Sequence, residues 1–378
     1  MWLEAAKSHW YNARGWRTGR RIVVFESDDW GAIRTPSLAV FERLQNSRNG
    51  IRVNRFDALD CLESGEDLQA LAEVLSSFRS NHGGPARFTC NMVLQNPDYQ
   101  AIEEADFETY SAESLFASYQ RVHGQDLAPL WQEIQQEKFI QPQFHAREHL
   151  NVALWMKDLR AGHPATREAF GLGCYGQMQS TGSPHQGHYL AAYHANGRAD
   201  LEEKGRVLAE GLELFERLFG FRSSTMIPCN YTWAGELTGQ LAARGVLGLQ
   251  GARVAHIPQV DAEGKLGRER RYLRSEPSGK LVDLVRNVTF EPYAKPDEDP
   301  VAPALRQVST AFLWRKPAVV STHRINYVSG LDLRHRDRSL SLLRELIAGI
   351  LKRWPDVEFM TSDELARLMK SASESEPG

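Results

Sequence analysis

The chain has 378 residues, of which 42% are hydrophobic and 25% charged, with a formal net charge of -3. This is the balance of an ordinary globular protein, long enough for one α/β barrel, and its scattered basic residues exclude nucleic acid as the main partner, since phosphate binding needs a concentrated basic face. No run approaches the ~18 apolar residues of a membrane helix, and Cys61, Cys90, Cys174 and Cys229 form no CxxC pair, so neither a zinc ribbon nor a disulfide framework is expected and a reducing, cytoplasmic setting is.

Residues 1–20 place Trp2, Trp10 and Trp16 among charged side chains without the continuous apolar core of a signal peptide, and read as an amphipathic extension packed on the domain. Arg21–Glu26 (RIVVFE) follows as a first strand and runs into the polar SDDWG. Residues 46–65 form a long excursion, Leu68–Ser80 has the helical period, and Arg87–Val93 reads as a second strand. Lys138–Phe144 is a third, weakened by Pro142, which cannot donate to a ladder. Asn151 is a good N-cap for a helix over VALWMKDLR, and residues 162–197, rich in Gly and His, leave the barrel again. Leu201–Phe219 is a long amphipathic helix before a strand at Ser224–Pro228. A helix at Gly235–Arg244, strands at Val246–Leu249, Leu281–Arg286 and Ala318–Thr322, a helix over Ser339–Arg353, a strand at Val357–Met360 and a helix opening at Thr361 complete the series, before a frayed tail over residues 371–378.

Strand–helix alternation on this scale means parallel strands with crossover helices, one barrel domain over residues 21–370. Ligands then bind beyond the carboxyl ends of the strands. Polar clusters stand at those ends: Asp28 and Asp29 after RIVVFE, His145 and His149 in HAREH, and His323 in STHRINY. One carboxylate and two imidazoles suit a borderline divalent ion, zinc before cobalt, nickel, manganese or iron, and leave positions open for water and substrate. A second carboxylate and a separate His are the base and acid that hydrolysis of an amide or ester requires.

VVFESDDWG, HAREH leading into LNVALW, and VVSTHRINY together resemble the polysaccharide-deacetylase superfamily (carbohydrate esterase 4, NodB homology), over roughly Arg21 to Met369. The resemblance implies a distorted (β/α)7 barrel, Asp28 as general base, Asp29, His145 and His149 as metal ligands, and His323 as general acid. It also implies an oxyanion held by the metal and a backbone N–H of the Ile227–Tyr231 turn. Ala146 stands where the family has Ser or Thr, and MIPCNY keeps Pro228 but lacks the arginine that pairs with the catalytic aspartate. Arg147, Arg286 and Arg324 are the candidates to replace it, Arg286 first. Substrate contacts are expected from Trp30, Pro228, Asn230, Tyr231, Trp233, Arg286, Glu291, Asn326 and Tyr327, whose aromatic faces suit sugar rings. His185, His188 and His194 lie in an insertion read as a substrate-covering loop. The expected activity is deacetylation, at N or O, of a saccharide or glycoconjugate. Hydrolysis of a small non-sugar C–N compound and a non-catalytic saccharide-binding barrel are the rivals.

Overall fold

The computed structural model describes residues 2–82, 84–175, 189–195, 197–260, 266–272, 276–278 and 280–375. The strands that build the site are β1 (Ile22–Trp30), β2 (Phe88–Val93), β3 (Ile140–Ala146), β4 (Thr225–Met226), β5 (Gly248–Gly251), β6 (Leu281–Val285), β7 (Val288–Thr289), β8 (Ala318–His323) and β9 (Glu358–Met360). Across the sheet the order is β6-β5-β4-β3-β2-β1-β8-β7, every pairing parallel. Strand β9 lies beside the first half of β1, and Glu276–Ser278 adds an antiparallel strand on β6.

Strands β6 and β7 sit at opposite ends of this order, yet only Arg286 and Asn287 separate them in the chain, so the sheet must curl. The Arg286 amide donates to the Gly251 carbonyl and the Asn287 amide to the Val319 carbonyl, both at 3.0 Å, and the dipeptide thereby bridges β5 and β8. The result is a distorted barrel, as the resemblance implies, built of the parallel strands expected from the alternation, with β1–β6 and β8 as its main staves and helices outside.

Side chains alternate between the two faces of each strand. On β1, Val23 and Phe25 point outward into the main core beneath the helices, while Ile22 and Val24 point inward. There they meet Val282, Leu284 and Val319 together with Leu365, Ala366 and Met369 of the helix Ser362–Ser375, which fills the amino-terminal end of the barrel. Each such burial is worth ~1.5–3 kcal/mol, so the apolar lower half can carry a polar upper half. The next inward positions are Glu26 and Asp28. Glu26 is 0% exposed, accepts from Ser362 Oγ at 2.7 Å and pairs with Arg286 Nε at 2.7 Å.

Pro142 lies inside β3 without breaking it. The Phe139 carbonyl accepts from the Phe88 amide on the β2 side, while the Phe144 amide donates to Ser223 Oγ on the other. Alternation turns Pro142 to that other side, where pairing with β4 begins only at Phe144 and Met226, so no ladder bond is lost. The closing helix continues through Ser375, which corrects the expected fraying from residue 371. The Trp2–Asn12 helix packs on the helix Val301–Leu313, and Asn12 Oδ1 accepts from Asn287 Nδ2 at 2.9 Å. Unexpected elements include the helices Leu115–His123 and Ala128–Gln136 and the hairpin Val254–Val260 with Leu266–Tyr272. Among the described residues no helix is long and apolar enough to cross a membrane.

Candidate active site

A cavity of about 460 Å³ opens at the carboxyl ends of the strands. Asp28, Asp29, His145, His149 and His323 all border it, as do Pro228, Asn230 and Tyr231. Adjacent residues of a regular strand face opposite ways, so Asp28 and Asp29 should not share one cavity. Two departures allow it. The pairing of β1 with β2 shifts register between Ser27 and Trp30, a bulge, and Asp29 takes a left-handed φ of 73°. Such a conformation costs a non-glycine residue ~1–3 kcal/mol and clusters at functional sites. Strand β3 has its own register shift, pairing Met92 with Phe144 and Val93 with Ala146, with His145 between them.

Asp29 Oδ1 lies 3.3 Å from His145 Nε2 and 3.2 Å from His149 Nε2. His145 Nδ1 meets the Ile227 carbonyl at 2.7 Å, which fixes the ring and leaves Nε2 to face the cluster. His149 stands on the loop before the Val152–Arg160 helix, and its buried Nδ1 has no hydrogen-bond partner among the described residues. Cys229 was not among the expected ligands. Its sulfur is 3.9 Å from His145 Nε2, and His145, His149 and Cys229 form a buried group able to hold a metal ion. Burial alone would neutralise these groups, yet the imidazoles and the acids overcome it together. Asp29 is held well below the usual carboxylate range by His149 and His145, and the same pair brings the Cys229 thiol down to about 6. His149 is lifted to about 9 by Cys229 and Asp29. The pocket thus favours anionic donors around a positive centre, and a carboxylate, two imidazoles and a thiolate are donors that fit zinc.

Asp28 belongs to a different network. Arg286 grips it with two charge-assisted bonds, Nη1 to Oδ2 and Nη2 to Oδ1, both 2.6 Å, and Asn91 Nδ2 donates to Oδ1 at 2.7 Å. Burial pushes the Asp28 carboxyl up, but Arg286 outweighs it and the group stays ionised. Of the three arginines considered, Arg286 is the one that reaches this aspartate. Arg147 pairs with Glu148 and Glu210. Arg324 is 0% exposed and joins Asp60 at 2.8 Å and Glu63 at 2.9 Å. Its truncation would leave two buried carboxylates unpaired, so Arg324→Ala should destabilise the fold by about 3–5 kcal/mol in urea unfolding. A loss below about 1 kcal/mol would contradict the buried pairing.

His323 lies 3.7 Å from Asp28 Oδ2 through Nε2 and 2.6 Å from Glu291 Oε1 through Nδ1. Burial opposes its charge, but Glu291 and then the aspartates lift it to about 9. Glu291 also accepts from Asn326 Nδ2 at 2.8 Å, and Asn326 Oδ1 accepts from the Tyr293 amide at 2.9 Å. Glu291 and Asn326 are thereby tied to His323 and Tyr293, and neither borders the cavity. Trp30 and Tyr327 are 0% exposed and Trp233 is 5% exposed. Trp30 Nε1 donates to Ser27 Oγ, the Tyr327 hydroxyl pairs with Thr322 Oγ1, and Trp233 Nε1 donates to Thr238 Oγ1. These rings are core and cannot stack on a sugar. Tyr231 does border the cavity, and its hydroxyl accepts from Arg286 Nη1 at 3.2 Å. In its turn, the Ile227 and Tyr231 amides donate to the Phe144 and Pro228 carbonyls, so neither is left for an oxyanion. Arg34, Asn54, Arg55, Phe56 and Tyr293 also line the cavity, unannounced by any motif. His185 and His188 lie outside the described residues, and with them most of the expected covering loop. His194 is buried, and its carbonyl accepts from Asn151.

No protein-family model matches the chain, and no curated protein matches it in sequence. In structure the chain is similar to a presumed polysaccharide deacetylase from Mycobacterium smegmatis, with a TM-score of 0.45 and 13% identity over 96% of this chain and 94% of that one. An alpha-amylase from Thermotoga maritima gives 0.43 and 9% over 93% and 75% of the two chains. A GH57 branching enzyme from Thermococcus kodakaraensis gives 0.42 and 12% over 96% and 72%. At these values the likeness says nothing about chemistry.

Proposed function

We propose that this chain is a metal-dependent hydrolase that removes acetyl groups from the nitrogen of a saccharide or glycoconjugate. The observation that carries the reading is the divergence of two adjacent aspartates. Asp29 faces two imidazoles, and Asp28 faces an arginine clamp and His323, across one cavity. Asp29, His145 and His149, with Cys229 beside them, would hold a zinc ion, which when bound supplies a Lewis acid for the acyl carbonyl and its attacking water.

The remaining work falls to the chain. Asp28 Oδ1 is filled by Arg286 and Asn91, whereas Oδ2 carries one Arg286 bond and borders the cavity toward His323. Oδ2 is thus the atom that takes the proton from water. Arg286 keeps it ionised over the working range, so a base is always present. His323, protonated at neutral pH, gives its Nε2 proton to the departing nitrogen as the C–N bond breaks. Acetate and a free amine result. Tyr231, Phe56 and Tyr293 provide aromatic wall for a ring. Zinc-loaded protein should release acetate from at least one N-acetylated sugar in a panel of mono- and oligosaccharides. Stoichiometric metal with no acetate from any of them would refute the proposal.

The acid assignment has a pH signature. A general acid must be protonated, and the His323 imidazolium persists until pH approaches about 9. The kcat/KM profile should therefore fall on an alkaline limb near that value. The same raised pKa contributes stability that is complete below the ordinary imidazole value of ~6.5 and fades as pH rises through the folded one. Glu291→Gln removes the main charge that lifts the group, so the limb should move down toward the ordinary value. A limb unchanged in Glu291→Gln would mean that another group supplies the proton.

A further inference from the structure

We infer that the substrate is anionic, and that Arg34 and Arg55 hold its carboxylate or phosphate beside the reacting group. This deepens the hydrolase reading and rests on it. Arg34 is 6% exposed and borders the cavity. Its Nε donates to Asp57 Oδ1 at 3.2 Å, and its guanidinium carbon sits 4.4 Å from the centre of the Phe56 ring. One edge and one face are thereby committed. The two terminal NH2 groups have no hydrogen-bond partner among the described residues and open onto the cavity, where they are free to donate to a ligand. Arg55, exposed on the same wall, gives Nε to the Tyr293 carbonyl at 2.6 Å and has no carboxylate partner among the described residues.

The other charges around the cavity are already matched. Asp28 answers Arg286, and Asp29 answers the two imidazoles. Asp57 spends its second oxygen on the Asn54 amide at 2.8 Å. What remains is Arg55, without a carboxylate partner among the described residues, and the terminal NH2 groups of Arg34 beyond its pair with Asp57, planar forks whose geometry suits an oxyanion. Asn54–Phe56 brings one of them from the excursion after β1, so this loop selects the substrate while the strand ends carry out the chemistry.

The test is calorimetric titration of inorganic phosphate and of glucuronate into the full chain as purified, alongside Arg34→Gln and Arg55→Gln. An ion held by a metal alone would be indifferent to both substitutions. The wild type should bind one of the two probes, and each variant should weaken that binding about tenfold, the size expected for one charge-assisted contact. The preferred probe tells carboxylate from phosphate. Arg55→Gln disturbs no buried pair and decides the matter if Arg34→Gln, which leaves Asp57 unpaired, fails to fold. No binding of either probe, or equal binding in wild type and Arg55→Gln, overturns the inference. Because binding is read without turnover, a failure to release acetate would count against the hydrolase reading and leave this result standing. Where acetate is released, Arg34→Gln should raise KM for a phosphorylated N-acetylhexosamine and not for its neutral parent.

Discussion

Asp28→Asn should lower kcat by about 10³-fold while leaving one equivalent of zinc bound, the range set by loss of a general base. The amide keeps the shape of the side chain but cannot take a proton at the position of Oδ2. The metal-facing groups are Asp29, His145, His149 and Cys229, and Asp28 contacts none of them through a hydrogen bond. Glu26 still answers Arg286 through Nε at 2.7 Å, so the barrel interior keeps its main charge pair and thermal melting should confirm a folded protein. Full activity in this variant would remove Asp28 from the role of base. Loss of zinc together with activity would move it into the ligand set.

His149→Ala carries the second large effect. It deletes one of only two imidazoles at the cluster, and zinc affinity should fall by well over the 10–100-fold that follows from disturbing a mere supporting residue. Competition with a chromophoric chelator reads this directly, and kcat/KM should follow the metal content. A variant that retains tight zinc would show that Asp29, His145 and Cys229 suffice, with His149 serving the cavity instead. The position invites the experiment: the His149 ring is buried at 6% exposure and its Nδ1 has no partner among the described residues.

The strands, their parallel pairing and the polar residues at their carboxyl ends could be read from the chain because those signals are local. Alternation of apolar runs with helical periods, and polar residues just past RIVVFE, QPQF and AVVST, need no knowledge of distant contacts. The substrate wall was another matter. Trp30, Trp233 and Tyr327 stand beside motif residues in the sequence, but adjacency does not set where a ring points: Trp30 ends a strand, Trp233 and Tyr327 follow short 3-10 turns, and all three are core. The link of Glu291 and Asn326 to His323 has no local signal, since it depends on how residues after β7 fold back. Arg34 and Arg55 carry no motif at all, and Cys229 stands in MIPCNY without any ligand spacing to mark it. Their arrival depends on loop paths and on the Cys229–Tyr231 turn, where Asn230 and Tyr231 both adopt positive φ.

The dipeptide that joins the two ends of the curled sheet also bears the side chain that clamps Asp28. Curling the sheet and pairing Arg286 with Asp28 are therefore one event. A chain still open along that seam has its aspartate on one stave and its guanidinium on another, so a partly assembled molecule is chemically silent. On the hydrolase reading proposed above, activity requires that the last two edges meet, and it would offer a readout of barrel closure that secondary-structure spectroscopy cannot provide.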